Sequence, residues 1–289
     1  MKISIYIIAL LVFLFSCTEK AESAPENYHQ GEVTILTDES FRSVTEALAD
    51  GYMIHYPNTQ VKVETRKEDV GFMDLLQGKT KVAVMSRELS EEEIKEYERV
   101  TESKFEPAKF AADAVVFVVP RDSERENISM EEISSAMQSP EKQLVFDGTN
   151  ASNLNFVAQQ LGKKPAELQY SIISGNSNII RELQNYPNKI GVVGLNTLSR
   201  PYSAEAENLR KQVKILPITY KGKTVAPETS NLANMSYPFT RVLYFLVNER
   251  TFNIAHGFIR FSCTHLGQMI VDKEGLQKYN LYQREVKMY

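Results

Sequence analysis

Short apolar runs alternate with helix-patterned stretches along most of this chain, and longer apolar runs break the alternation twice. Strand-like runs fall at Val33–Leu36, Val61–Thr65 and Val82–Met85, then at Leu144–Phe146, Ser171–Ile173, Ile190–Val193 and Val213–Leu216. After the first of these, Phe41, Val44, Leu48 and Tyr52 recur at helical spacing. Ser90 with Glu93, and Ser129 with Glu132, stand three apart before helical patterns. That is the capping-box spacing, in which side chain and backbone at a helix start satisfy each other. Alternation of this kind predicts an α/β fold, a mostly parallel sheet with helices on both faces. The longer runs, Ala114–Val119 and Val242–Val247, suit strands that cross between two lobes. Helices over Asn253–Ser262 and Leu266–Asp272 would complete the chain. With 289 residues there is ample chain for two cores. The expected layout is a discontinuous first lobe, 32–115 and 237–289, around an inserted second lobe, 116–236, with a cleft between them.

The N-terminus reads differently. Lys2 precedes an apolar run, Ile3–Phe15, that is shorter than the roughly 20 residues a spanning helix needs. The run ends in Leu14-Phe15-Ser16-Cys17, which resembles the bacterial lipoprotein box. The expectation is a signal over 1–16, lipidation of Cys17, and a polar tether over 17–31 containing Pro25. An uncleaved anchor helix is the competing interpretation. With Cys17 carrying lipid, Cys263 has no partner for an intrachain disulfide and is expected to be a buried, inert thiol.

Composition and spacing exclude several function classes. A net charge of −4 gives no general attraction to nucleic acid. The four histidines, His29, His55, His256 and His265, do not pair at metal-ligand spacing, and no CxxC, P-loop, dinucleotide fingerprint or GxSxG occurs. No catalytic constellation, cofactor or metal site is expected. What remains is a set of three polar turns, each following a strand-like run: Thr37-Asp38-Glu39-Ser40, Ser86-Arg87, and Thr149–Asn153. In open α/β sheets such turns gather at the carboxyl ends of strands, where ligands bind. Helix starts there offer unpaired N–H groups and a positive dipole end to an anion. The same residue types are also ordinary N-caps, so any one turn alone reads as capping. The three together read as an oxyanion cleft.

Several segments carry a resemblance to a known family. Val82-Ala-Val-Met-Ser-Arg-Glu-Leu89, Phe110–Val119, Ile190-Gly-Val-Val-Gly-Leu195 and Tyr237-Pro-Phe-Thr-Arg-Val-Leu-Tyr-Phe-Leu-Val247 resemble the phosphate-binding proteins of ABC-type phosphate importers. The last segment is the most specific match, and the resemblance spans roughly Glu32 to the C-terminus. It implies the two-lobe, type II periplasmic-binding-protein-like fold, with phosphate or a similar oxyanion held between the lobes. It also implies ABC permease subunits as partners, a lipid-anchored place in the cell envelope, and a monomer. The implied ligand-binding residues are Thr37, Asp38, Ser40, Ser86, Arg87, Asp147, Asn150, Ser152 and Asn153. Arg87 would supply the charge, and Asp38 or Asp147 would accept a proton-bearing oxygen and so exclude sulfate. The third turn reads Asn-Ala-Ser-Asn where the family has a Ser-Gly-Thr run. A sensing or surface-interaction lipoprotein without transport is the alternative. A serine hydrolase built on Ser86 or Ser152 is disfavoured, because no histidine stands at a recognisable position. Replacing Cys17→Ser should abolish both lipid labelling and membrane partitioning. Unchanged partitioning would support the uncleaved helix instead.

Overall fold

The computed structural model describes residues 27–281. The signal, Cys17 and most of the tether therefore lie outside the described residues. Strand β1 spans Gln30–Thr37, so the last two residues of the expected tether belong to the first sheet. A 3-10 turn at Glu39–Phe41 leads into α1, Arg42–His55. Then come β2 (Asn58–Thr65), α2 (Glu68–Leu76), β3 (Val82–Met85) and α3 (Glu91–Thr101). Strand β4 is long, Ala108–Pro120. The chain continues through β5 (Ile128–Ser129), α4 (Met130–Ala136), β6 (Leu144–Phe146), α5 (Ser152–Gln160), β7 (Ser171–Ile172), α6 (Asn176–Glu182) and β8 (Ile190–Gly194). It ends through α7 (Asn196–Ser199), α8 (Ala204–Gln212), β9 (Val213–Leu216), β10 (Ile218–Tyr220), β11 (Lys223–Val225), α9 (Thr229–Ala233) and β12 (Thr240–Val247). Last are α10 (Ile254–Cys263), α11 (His265–Lys273) and β13 (Gln277–Lys278). Both anticipated capping boxes, Ser90 with Glu93 and Ser129 with Glu132, are formed.

Strand order runs β2-β1-β3-β12-β4-β8-β6-β7, with β13 and β9 also paired to β4. Strand β4 joins the two lobes. Its first half pairs with β12 and β13, and its second half with β8 and β9. The sheets are mixed rather than mostly parallel. Within each lobe β1, β2 and β3, or β6, β7 and β8, run parallel, whereas every strand beside β4 is antiparallel to it. The return passage between lobes lies at Tyr237–Phe239, where Val115 N–H donates to the Phe239 carbonyl at 3.0 Å. Val242–Val247, expected to cross, lies within the first lobe's sheet. A small sheet of β11, β10 and β5 decorates the second lobe.

Each lobe has its own apolar core. In the first, α1 buries Val44, Leu48 and Tyr52 against Val33, Ile35, Phe245 and Phe258. In the second, β4, β6 and β8 pack Val116, Phe117, Phe146 and Val192 against Leu154, Val157 and Ile179. Cys263 is partly buried, its thiol donates toward the Lys109 carbonyl at 3.6 Å, and burial pushes its pKa up to about 11. A protonated thiol is a poor nucleophile. Among the described residues, no helix is long and apolar enough to cross a membrane. Phe245, 1% exposed, stacks on Phe110 at 4.2 Å between ring centres and meets Phe258 edge-on. Phe245→Ala should therefore cost about 3–5 kcal/mol in denaturant unfolding, whereas a loss under 1 kcal/mol would show that this core collapses around the cavity.

Candidate functional site

The turns after β1, after β6 and after β7 come together at the seam between the lobes. Asp38 follows β1, caps the 3-10 turn at Glu39–Phe41 and is buried. Its Oδ1 accepts from Ser40 N–H at 3.0 Å and from the Ser152 hydroxyl at 2.9 Å. Its Oδ2 accepts from Ser152 N–H at 3.1 Å. Ser152 opens α5, and the residue before it, Ala151, has no side chain able to cap that helix. The cap comes instead from Asp38, more than a hundred residues earlier and in the other lobe. Three donors from two lobes thus converge on one carboxylate, in the way a helix start receives an oxyanion.

Polar side chains surround this contact. Ser40 donates to Asn153 Oδ1 at 3.3 Å and accepts from Asn176 Nδ2 at 3.0 Å, while Asn153 donates to Asn176 Oδ1 at 2.9 Å. Thr37 is buried beside them, its hydroxyl 3.2 Å from that of Thr45. Asp147 sits where the sequence reading expected a carboxylate. It is held by the Lys67 ammonium and by Gly175 N–H, at a glycine whose φ of 94° an L side chain rarely adopts. Asn150 is exposed, and its carbonyl accepts from Asp69 N–H across the seam at 3.4 Å.

Arg87 borders two of the cavities beside the seam, but its side chain is already engaged. Its guanidinium forms a fork on Glu93 at 2.6 and 2.9 Å and reaches Asp69 at 3.1 Å. These carboxylates belong to the first lobe's own helices, so its charge is already matched. Ser86 likewise gives both its N–H (2.6 Å) and its hydroxyl (2.7 Å) to Glu68, which also receives Asn155 Nδ2 at 3.4 Å. The guanidinium at the seam is that of Arg241. It is 1% exposed, lies over the Phe41 ring at 4.7 Å, and donates to Asp113 Oδ2 at 2.7 and 3.0 Å. Its Nη1 also donates to the Ser152 hydroxyl at 3.4 Å, and that hydroxyl donates in turn to Asp38. Gly194 permits this approach, because a Cβ there would fall 2.9 Å from Ser40 Cβ and 3.0 Å from Arg241 Nη2. The Ser152 and Ser86 hydroxyls donate to the carboxylates of Asp38 and Glu68.

Arg241, Glu68, Lys67 and Asn176 were not singled out from sequence. A signal existed for the first: Arg241 and Asp113 are isolated charges inside apolar strand runs, where a charge must find a partner. Two cavities flank the cluster. One of about 430 Å³ is lined by Glu39, Ser40, Ser177, Asn196 and Arg200, and one of about 410 Å³ by Ser86, Phe156, Arg241 and Tyr244. A larger one, about 950 Å³, lies between the lobes further along the seam, lined by Phe72, Arg87 and Arg99 on one side and by Asn155, Gln159 and Lys163 on the other. It touches none of the Asp38, Ser40 and Ser152 set.

The seam is acidic. Burial, then Asp147, raises the pKa of Glu39; burial raises that of Glu68; burial also raises that of Asp147, against the pull of Lys67. A carboxylate with a raised folded pKa holds its proton better folded than unfolded. Its contribution to stability is complete at low pH and is lost as pH rises through the raised value. As pH rises above the ordinary carboxylate range the melting temperature should therefore fall. Glu68→Gln should flatten that slope. A melting temperature that rises over the same range would contradict this assignment.

The chain has relatives of known description. A family model described as a PBP superfamily domain matches residues 22–264. Phosphate-binding proteins PstS from Borreliella burgdorferi and Staphylococcus haemolyticus are each 22% identical to it, over 75% and 79% of this chain and 79% and 75% of theirs. Among solved structures, a Clostridium perfringens protein with bound phosphate superposes with a TM-score of 0.69 at 20% identity, covering 86% of this chain and 99% of that one. An ABC-type phosphate transport receptor from Vibrio cholerae gives a TM-score of 0.65 at 16% identity, covering 86% of this chain and all of that one.

Proposed function

This chain belongs to the PBP superfamily, and from that premise we propose that it is a solute-binding protein that captures phosphate or a similar oxyanion between its lobes. One observation carries the proposal. Ser40 N–H, Ser152 N–H and the Ser152 hydroxyl, drawn from both lobes, converge on a single anionic group. Arg241, its charge matched by Asp113, adds one further donor behind them. The donors suit oxygen of any oxyanion. Glu39 and Asp147, in their ionised forms, select among oxyanions, because only one that still carries a proton can donate to them. Phosphate does so at neutral pH and sulfate does not.

The phosphate-binding descriptions of the relatives support the same assignment. In this proposal residues 32–115 and 237–289 form one lobe and 116–236 the other. Cys17 carries the lipid, the anchored monomer faces the cell exterior or periplasm, and the load passes to an ABC permease. Capture involves no covalent step. Of the residues expected to bind ligand, Thr37, Asp38, Ser40, Asp147, Ser152 and Asn153 line the seam, while Ser86 and Arg87 act one layer out through Glu68, Asp69 and Glu93. Calorimetric titration of the purified protein with phosphate, sulfate and molybdate tests the proposal. Phosphate should bind at one site per chain, at least about tenfold tighter than sulfate, a difference of roughly 1.4 kcal/mol. Absence of heat with every oxyanion would overturn it in favour of the sensing or surface-interaction role.

A further inference from the structure

We infer that Asp38 is a resident ligand of the cleft, a side chain that occupies the oxyanion donors and latches the lobes together, so that solute enters by exchange with it. The inference rests on the oxyanion reading for the identity of the incoming solute, but the latch itself rests on geometry alone. Asp38 lies just after β1 in the first lobe, and Ser152 lies at the start of α5 in the second. Both are fully buried. A local turn explains only one of the contacts, the 3.0 Å bond from Ser40 N–H to Oδ1. The other two, from Ser152 N–H and the Ser152 hydroxyl, cross between lobes. They satisfy the first turn of a helix that has no cap of its own.

A carboxylate and a phosphate oxygen pair ask for the same donors, so the two cannot hold them at once. Other ties across the seam act in the same direction. Lys67 pairs with Asp147, Glu39 accepts from Asn176 N–H at 3.1 Å, and Glu88 and Gln159 exchange two bonds at 3.0 and 3.1 Å. Asp38 is the member of this set that spends its acceptors on the proposed solute donors. It therefore sets which solutes can bind. A weakly charged or poorly accepting molecule does not displace a buried carboxylate from two N–H groups and a hydroxyl, whereas a phosphate with several acceptor oxygens can.

Small-angle scattering and stopped-flow binding on the full chain test the latch. In the parent, the radius of gyration should be nearly the same with and without inorganic phosphate, because Asp38 already holds the lobes together. Asp38→Ala should have a larger radius of gyration alone and return to the parent value when phosphate is added. Ser152→Ala, which keeps the N–H and removes only the hydroxyl, should open less. It also serves as the test if Asp38→Ala does not fold. The rate of phosphate binding should reach a plateau with concentration in the parent, where release of Asp38 limits it, and rise without a plateau in Asp38→Ala. Variants as compact as the parent, with the same rate profile, would overturn the latch. If Asp38→Ala opens but inorganic phosphate neither binds nor recloses it, the latch stands and the oxyanion reading fails.

Discussion

The ion pair between Arg241 and Asp113 is the contact on which the rest of the seam depends. The two residues are direct cross-strand partners in β12 and β4, the strands that run beside each other where the lobes meet. Both are fully buried among apolar neighbours, and two hydrogen bonds of 2.7 and 3.0 Å join them. Removing either partner would leave an uncompensated buried charge, a loss of about 3–5 kcal/mol. A slip of one residue in the β4–β12 register would separate the pair and turn every side chain to the other face. The pair thus fixes how the crossing strand is seated, and with it the height at which Arg241 meets Ser152 and Phe41.

Around that fixed point, the seam solves a problem of burying carboxylates. Burial first, and then the nearby carboxylates, raise the pKa values of Glu39, Glu68 and Asp147, which would be unfavourable without compensation. The compensation is backbone N–H groups at turns: Ser40 and Ser152 for Asp38, Asn176 for Glu39, Ser86 for Glu68 and Gly175 for Asp147. Each carboxylate ends on an amide that a strand-to-helix connection leaves unpaired. The same amides are what an oxyanion would need. Structural satisfaction and solute recognition therefore draw on one set of donors, and this is why a cleft rich in acid can still be read as a site for an anion.

The sequence made the scaffold legible to different degrees. Val82–Met85, Leu144–Phe146 and Val213–Leu216 appear as strands with the bounds that apolar run length gives. The two capping boxes were readable because their chemistry is local, a serine and a glutamate three residues apart. The hairpin of β10 and β11 was not seen, since Ile218–Val225 is polar and short, and only its pairing with β5 places it. In the site, the turns were legible as turns. Which charge sits among them was not. Arg87 follows a strand end and looks free in sequence, yet Glu93, six residues on, and Asp69 reach it first. Arg241 looked like a feature of a crossing strand, and its partnership with Ser152 is set by tertiary distance alone.

The account's central claim is that Ser40 and Ser152 amides form an oxyanion site now held by the Asp38 carboxylate. A crystal structure grown with arsenate, with the arsenic located by its anomalous scattering, addresses it most directly. The account predicts one arsenic peak within hydrogen-bonding reach of Ser40 N–H and Ser152 N–H, with the Asp38 carboxylate moved off those donors. Arsenic bound elsewhere while Asp38 keeps both amides would contradict it.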